Sequence, residues 1–466
     1  MPFPAGAANP LRPRSQRWRT VRLAGHGCRR RWIITPFLFL ALALSVGACH
    51  PSILPERERL ISPSGDYSYP FTNPYAATVI GTPPDRSVVL PQGIPIRARS
   101  LPVVDDRVVP EVFWYENRFR YSLVTQPGPA PLVFVVAGTN GGHSNRFSRF
   151  LQQVFFLAGF HVATISSPTF PNFMVTASAT SVPGRTSQDA SDLYRIMQKV
   201  RRDVERNATV EGVSLVGYSL GGWQSAFVAE LDSRERAIGF GKVLLINPPV
   251  SLYRSSRVLD DMLTSSLPGG IDGLHAFLNN LLIRLTEIYR GSPAVEFGQD
   301  LLYQAYLALR PTDDQLSTLI GAAFRLSSAN ISFTADVMSH FGYLVASDAR
   351  LRISSSLTPY FDAAMGRGFI EYFEQFLYPY YREHDPTLTR EHFVEEASLE
   401  YIEPFLAHTD SVGVVTNADD VILAPGDLDF LKKTFAGRMT IFPTGGHLGN
   451  MQDPHVIAAA VRFLAP

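Results

Sequence analysis

Between residues 119 and 246, short apolar runs alternate with longer amphipathic stretches. Phe119–Thr125, Leu132–Ala137, His161–Ile165, Val213–Tyr218 and Lys242–Ile246 have strand length and are bounded by glycine, proline or polar clusters. Arg146–Ala158 and Ser187–Val204 carry apolar residues at helical spacing, and Ser187 and Asp189 are placed to cap the second helix. A further strand is expected at Glu111–Tyr115, and a helix at Trp223–Leu231. Strands alternating with helices predict a parallel sheet covered on both faces.

That rhythm stops at Asn247-Pro248-Pro249 and resumes near Ser411, with apolar runs from Val412 and from Met439. The residues between read as helical. Ala276–Tyr289 and Leu301–Leu309 are amphipathic, and Gly368–Tyr378 is rich in aromatic residues. Because the chain returns to the sheet at Val412, residues 251–409 are expected to form a cap over the core rather than an independent helical domain. The core itself would comprise residues 109–250 and 410–466. Residues 49–108 are proline-rich with little periodicity and fit either a stiff tether or a segment wrapped on the domain. Tyr67, Tyr69, Phe71, Tyr75, Val79 and Ile80 favour packing for part of it.

The amino terminus changes the picture of charge. Residues 1–48 hold eight arginines and no acidic residue, and Ile33–Ala48 carries no charge. A basic region, an apolar core of about 16 residues and a small-residue end make a secretory signal, which is short for a membrane span of about 20 residues. Without residues 1–48 the chain keeps 34 basic and 42 acidic groups, a net of −8 in place of zero. A mildly acidic domain has no electrostatic footprint for nucleic acid, so none is expected as a partner. The 466-residue chain has two cysteines, Cys28 and Cys49, so no disulfide can form once residues 1–48 are removed.

Candidate chemistry centres on Val213–Gly222, where an apolar run breaks into Gly217-Tyr218-Ser219-Leu220-Gly221. Glycines on both sides allow a strained strand-to-helix turn that leaves the Ser219 hydroxyl exposed as a nucleophile. Upstream, Pro131–Ala137 ends in the glycine-rich loop Gly138-Thr139-Asn140-Gly141-Gly142, whose backbone N–H groups can face a developing oxyanion. Downstream, the Val412 run ends in the acidic pair Asp419-Asp420, and the Met439 run leads to His447 in a glycine-flanked loop. A serine needs a base with a pKa near neutrality, and the imidazole needs a carboxylate to fix its tautomer. No H-E-x-x-H pattern and no cysteine cluster is present, so neither a metal nor another cofactor is expected.

The segments G-Y-S-L-G, A-G-T-N-G-G, N-A-D-D-V-I-L and G-G-H-L-G, in this order, resemble the α/β-hydrolase superfamily over residues 111–250 and 410–465. The resemblance implies an α/β fold, with a mostly parallel central sheet flanked by helices and a large helical cap insertion. It implies Ser219 as nucleophile, His447 as base and Asp420 as acid. Asp419 remains the alternative acid, and Asn417 stands where the family usually has glycine. The oxyanion donors would be the backbone N–H groups of Leu220 and Thr139, with Asn140 and Gly141 as alternatives to Thr139. The expected activity is hydrolysis of a small-molecule or lipid carboxylic ester. An acyltransferase using the same triad and a non-catalytic lipoprotein on the same scaffold are the alternatives. Val46-Gly47-Ala48-Cys49 resembles the lipobox of bacterial lipoproteins. That resemblance implies lipidation of Cys49, and His50 after it implies a membrane anchor in the cell envelope, in the outer membrane facing the periplasm. The aromatic-dense stretch from Tyr360 to Tyr381 reads either as an acyl-chain pocket or as the core of the cap.

Overall fold

A computed structural model describes residues 54–104, 107–265, 267, 270–291 and 299–465. The signal segment and Cys49 lie outside the described residues. One sheet holds eight strands: β1 (Arg97–Leu101), β2 (Phe119–Val124), β3 (Ala130–Val136), β4 (His161–Ile165), β5 (Val210–Tyr218), β6 (Phe240–Ile246), β7 (Val412–Asn417) and β8 (Met439–Phe442). Their order is β1-β2-β4-β3-β5-β6-β7-β8. The pairs β1–β2 and β2–β4 are antiparallel, and every other pair is parallel.

This order places β3 and β5 side by side, although β4 comes between them in sequence. The chain leaves β3 toward one edge of the sheet and leaves β5 toward the other. Their carboxyl ends therefore diverge and open a crevice, which is where open α/β sheets bind ligands.

Alternate residues of the central strands face two separate cores. Leu132, Phe134, Leu215, Leu245 and Val414 pack under α5 (Thr186–Glu205) and α6 (Leu220–Glu235), which supply Leu193, Met197, Trp223 and Ala226. Val133, Val135, Val216, Leu244 and Val415 pack under α3 (Arg146–Leu157) and the carboxyl-terminal helix Pro454–Leu464. Burial on both faces explains why these strands read as unbroken apolar runs. Asp189 ties the start of α5 to the preceding chain by accepting the Gly184 N–H at 2.9 Å, whereas Ser187 makes no capping bond.

One expectation near the amino end is corrected. Glu111–Tyr115 is not a strand: Glu111–Phe113 is a 3₁₀ turn, and Trp114 and Tyr115 beyond it are exposed. The strand that pairs with β2 is β1, in the proline-rich region. As an edge strand it is largely exposed and reads R-A-R-S-L, so its apolar pattern is faint. The same region contributes α1 (Leu54–Ile61) and α2 (Pro74–Ile80), and Tyr69, Phe71, Ala76, Ala77 and Ile80 form a small core with Leu316.

Between β6 and β7 the chain is helical. It includes α7 (Leu252–Thr264), α8 (Leu274–Gly291), α9 (Gln299–Leu309) and α10 (Asp313–Ser339). The amino end of α10 is fixed by a capping box between Thr312 and Gln315 and by Asp313 and Asp314 in its first turn. At its other end Asp336 accepts four backbone N–H groups, from Gly342 to Val345, and folds the chain back. Most of the aromatic stretch is core: Tyr372, Phe373, Phe376 and Tyr381 are buried with Phe393, with Met174 of α4 (Pro171–Thr176) and with Val182, whereas Phe361 is exposed.

Candidate active site

Ser219 occupies the turn between β5 and α6 with φ 54° and ψ −128°, a conformation that costs a residue with a side chain roughly 1–3 kcal/mol. The surroundings hold it there. The Ser219 N–H donates to the Ile246 carbonyl at 2.8 Å, and its own carbonyl accepts from Gly222 at 2.9 Å and Trp223 at 3.1 Å. The flanking glycines are a packing requirement. A β-carbon on Gly217 would lie 2.0 Å from the Gly221 carbonyl oxygen, and one on Gly221 would lie 2.4 Å from that of Val136.

His447 reaches this turn from the loop after β8. Its Nε2 is 2.9 Å from Ser219 Oγ, and its Nδ1 is 3.0 and 3.1 Å from the two Asp420 carboxylate oxygens. With Nδ1–H donating to Asp420, Nε2 is free to accept from the Ser219 hydroxyl. The Asp420 side chain is fully buried, and that of His447 is 14% exposed. Asn247 Nδ2 donates to Asp420 at 2.7 Å and the Ile422 N–H donates at 3.2 Å, so the carboxylate is held in one orientation.

The two adjacent aspartates divide the work. Asp419 faces the histidine loop and accepts the N–H groups of Gly446 at 2.9 Å and Gly445 at 3.2 Å. Burial pushes its carboxyl above the usual range. Asn417 binds the same loop, donating to the Gly446 carbonyl at 2.7 Å and to Asn450 at 2.9 Å. From the amino-terminal region, Thr78 Oγ1 accepts the His447 N–H at 2.9 Å, and the Tyr67 hydroxyl donates to the Thr444 carbonyl at 2.6 Å. Asn247, Thr78 and Tyr67 escaped the sequence reading. Only Asn247 carried a signal, as a polar residue closing an apolar strand before two prolines.

The loop after β3 lies against the serine. A β-carbon on Gly138 would stand 3.1 Å from Ser219 Cβ. Within this loop the Asn140 N–H donates to Thr169 Oγ1 at 2.8 Å and the Gly141 N–H donates to the Gly138 carbonyl at 2.9 Å. Both are spent internally, which leaves the Thr139 N–H of the three candidates. Thr139 and Leu220 both line a cavity of about 380 Å³ that also contains Ser219 and His447, with α7 and α10 of the helical insertion forming its far wall. Among the described residues no group of three or more His, Cys, Asp or Glu side chains is arranged to hold a metal ion.

The serine on a tight turn after β5, the histidine loop after β8 and the sheet order together decide the fold class. It is an α/β-hydrolase fold. No family model and no curated protein matches the chain. Solved structures resemble it at low identity. A lipase, described as putative, from Acinetobacter baumannii is 13% identical, with 86% of this chain and 97% of that chain covered and a TM-score of 0.39. A membrane phospholipase A described as a bacterial virulence factor is 14% identical, covering 79% and 86% with a TM-score of 0.37. The thioesterase domain from the curacin biosynthetic pathway is 10% identical, covering 79% and 99% with a TM-score of 0.36. At these values nothing about activity passes from those proteins to this α/β-hydrolase fold.

Proposed function

We propose that this protein is a serine hydrolase of carboxylic esters, held in the bacterial cell envelope by a lipid on Cys49. The observation that carries the hydrolase reading is the continuous contact from Ser219 Oγ through His447 to the buried Asp420 carboxylate. In this reading Ser219 Oγ attacks the ester carbonyl while His447 Nε2 takes its proton, and Asp420 stabilises the imidazolium. The N–H groups of Leu220 and Thr139 face the oxyanion, a role in which one donor is worth about 2.7–4 kcal/mol. His447 then protonates the departing alcohol, and water cleaves the acyl-enzyme by the same path in reverse. The anchor rests on the sequence alone, because Cys49 lies outside the described residues. Among those residues no helix is long and apolar enough to cross a membrane.

A fluorophosphonate probe tests nucleophile activation without knowledge of the substrate. The wild-type protein should form a covalent adduct at Ser219 and hydrolyse simple esters. Ser219→Ala should lose both while its far-ultraviolet circular dichroism and melting temperature persist. Comparable ester turnover by the Ser219→Ala protein would overturn the reading.

A further inference from the structure

The cavity in front of Ser219 adjoins a second one. Beside it, between α2, α8, α9 and α10, lies an apolar cavity of about 360 Å³. The two share Ile320 and Ala323 as a common wall. Leu316, Ile320, Ala323 and Ser327 recur every three or four residues and so lie along one face of α10. Leu316 lines only the second cavity and Ser327 only the first, so a single helix face runs beneath both. Ala323, which lines both cavities, is small and exposed to solvent.

The chemistry of the second cavity restricts its occupant. Among the described residues no charged side chain lines it, and Thr78 and Tyr306 are the only lining side chains with a hydrogen-bonding group. Thr78 is already engaged with the Pro74 carbonyl and the His447 N–H. A peptide seated there would leave backbone N–H and C=O groups without partners, at considerable cost, whereas an alkyl chain asks for none. Each cavity falls at the lower end of the range for ligand pockets, about 300–1,000 Å³. A group esterified to Ser219 that crosses the wall at Ala323 enters the second cavity directly.

We propose that this second cavity holds the distal part of a long acyl chain, so that the substrate class is long-chain fatty acyl esters. The proposal rests on the hydrolase reading given above, with Ser219 as the acylated residue. Chain-length preference is then set by α2, α9 and α10, away from the reacting atoms.

The test uses p-nitrophenyl butylphosphonate and p-nitrophenyl dodecylphosphonate, which phosphonylate an activated serine with the same chemistry but differ in chain. Adduct formation on the full-length protein is followed by intact mass. The wild type should react faster with the dodecyl reagent by about tenfold or more, as expected when even one or two methylenes enter a hydrophobic pocket. Ala305→Trp, at a buried position on α9 lining only the second cavity, should remove most of that preference. Leu319→Trp, at a half-buried position on α10, does the same if Ala305→Trp fails to fold. Hydrolysis of p-nitrophenyl dodecanoate should show the change in KM rather than kcat. Equal rates with both reagents, or a preference untouched in a folded tryptophan variant, overturns the acyl-cavity proposal while leaving the hydrolase intact. Absence of any adduct with either reagent overturns the hydrolase reading itself.

Discussion

Asp419 and Asp420 differ by one position in the chain and by everything in their surroundings. Asp420 meets the imidazole of His447 with its side chain sealed from solvent, while Asp419 binds two glycine N–H groups of the loop that carries that histidine. Asp420→Asn is therefore expected to lower kcat by about 10⁴-fold, because an amide can favour the wrong tautomer and cannot stabilise the imidazolium. Asp419→Asn weakens two backbone bonds and should cost roughly 1–3 kcal/mol of stability with a far smaller loss of kcat. Thermal melts and ester kinetics on the two variants check this ranking, and the reverse order would transfer the acid role to Asp419. Ser219, His447 and the aspartate pair were legible in the sequence because glycines and strand ends marked each. Pattern narrowed the choice within the pair to Asp420, and Asp420 is the one whose carboxylate contacts His447.

At the scale of elements, α2 links the amino-terminal region to the histidine loop. Its Thr78 hydroxyl takes the His447 N–H, and the carbonyls of Pro74 and Ala77 stand where β-carbons on Gly446 and Gly449 would fall, at 2.3 and 2.1 Å. The loop and the helix are thus fitted backbone to backbone. Thr78→Val keeps the shape and removes the acceptor, leaving the His447 N–H without its partner at a cost of roughly 1–3 kcal/mol. The expected result is a lower kcat with little change in KM for a short-chain ester, since His447 is displaced while the cavity in front of Ser219, which Thr78 does not line, is unchanged. An unchanged kcat, with the melting temperature lowered, would reduce Thr78 to a structural role. The core strands and α3, α5 and α6 were legible because both faces of the sheet are buried and each helix has one apolar side. β1 was not, because this edge strand is largely exposed and its inward face carries Arg97 and Arg99 beside Leu101, which hides any apolar alternation.

For the whole molecule, α1 ties the amino-terminal region to the carboxyl-terminal helix. α1 begins at Leu54, and its Ile61 carbonyl accepts from Arg462 of the carboxyl-terminal helix. Residues 57–104 pack as part of the domain rather than extending it as a spacer. Stable attachment needs two or more acyl chains, since one gives only marginal, reversible binding at about 0.8 kcal/mol per buried CH₂. Intact-mass analysis of the mature amino terminus should show a diacylated or triacylated Cys49. Cys49→Ser should accumulate as a precursor retaining residues 1–48. A soluble, normally cleaved Cys49→Ser protein, or an unmodified cysteine in the wild type, would sink the lipoprotein reading.

Sequence by itself determined what is written in local pattern: the buried strands, the strained turn at Ser219 that only glycines at 217 and 221 permit, and the order serine, aspartate, histidine. Each of these depends on residues within a few positions of one another, where periodicity and β-carbon sterics leave a direct trace. The tertiary structure decided what depends on contacts between distant segments. It brought Thr78 and Tyr67 to the histidine loop across more than 360 residues, turned Asn247 onto Asp420, and engaged the N–H groups of Asn140 and Gly141. It also assigned much of the aromatic stretch to a core and set a different apolar cavity beside the one that contains Ser219, formed by helices from two separate parts of the chain. Helical periodicity identifies an apolar face but not what it faces, because that is settled only when the helices pack.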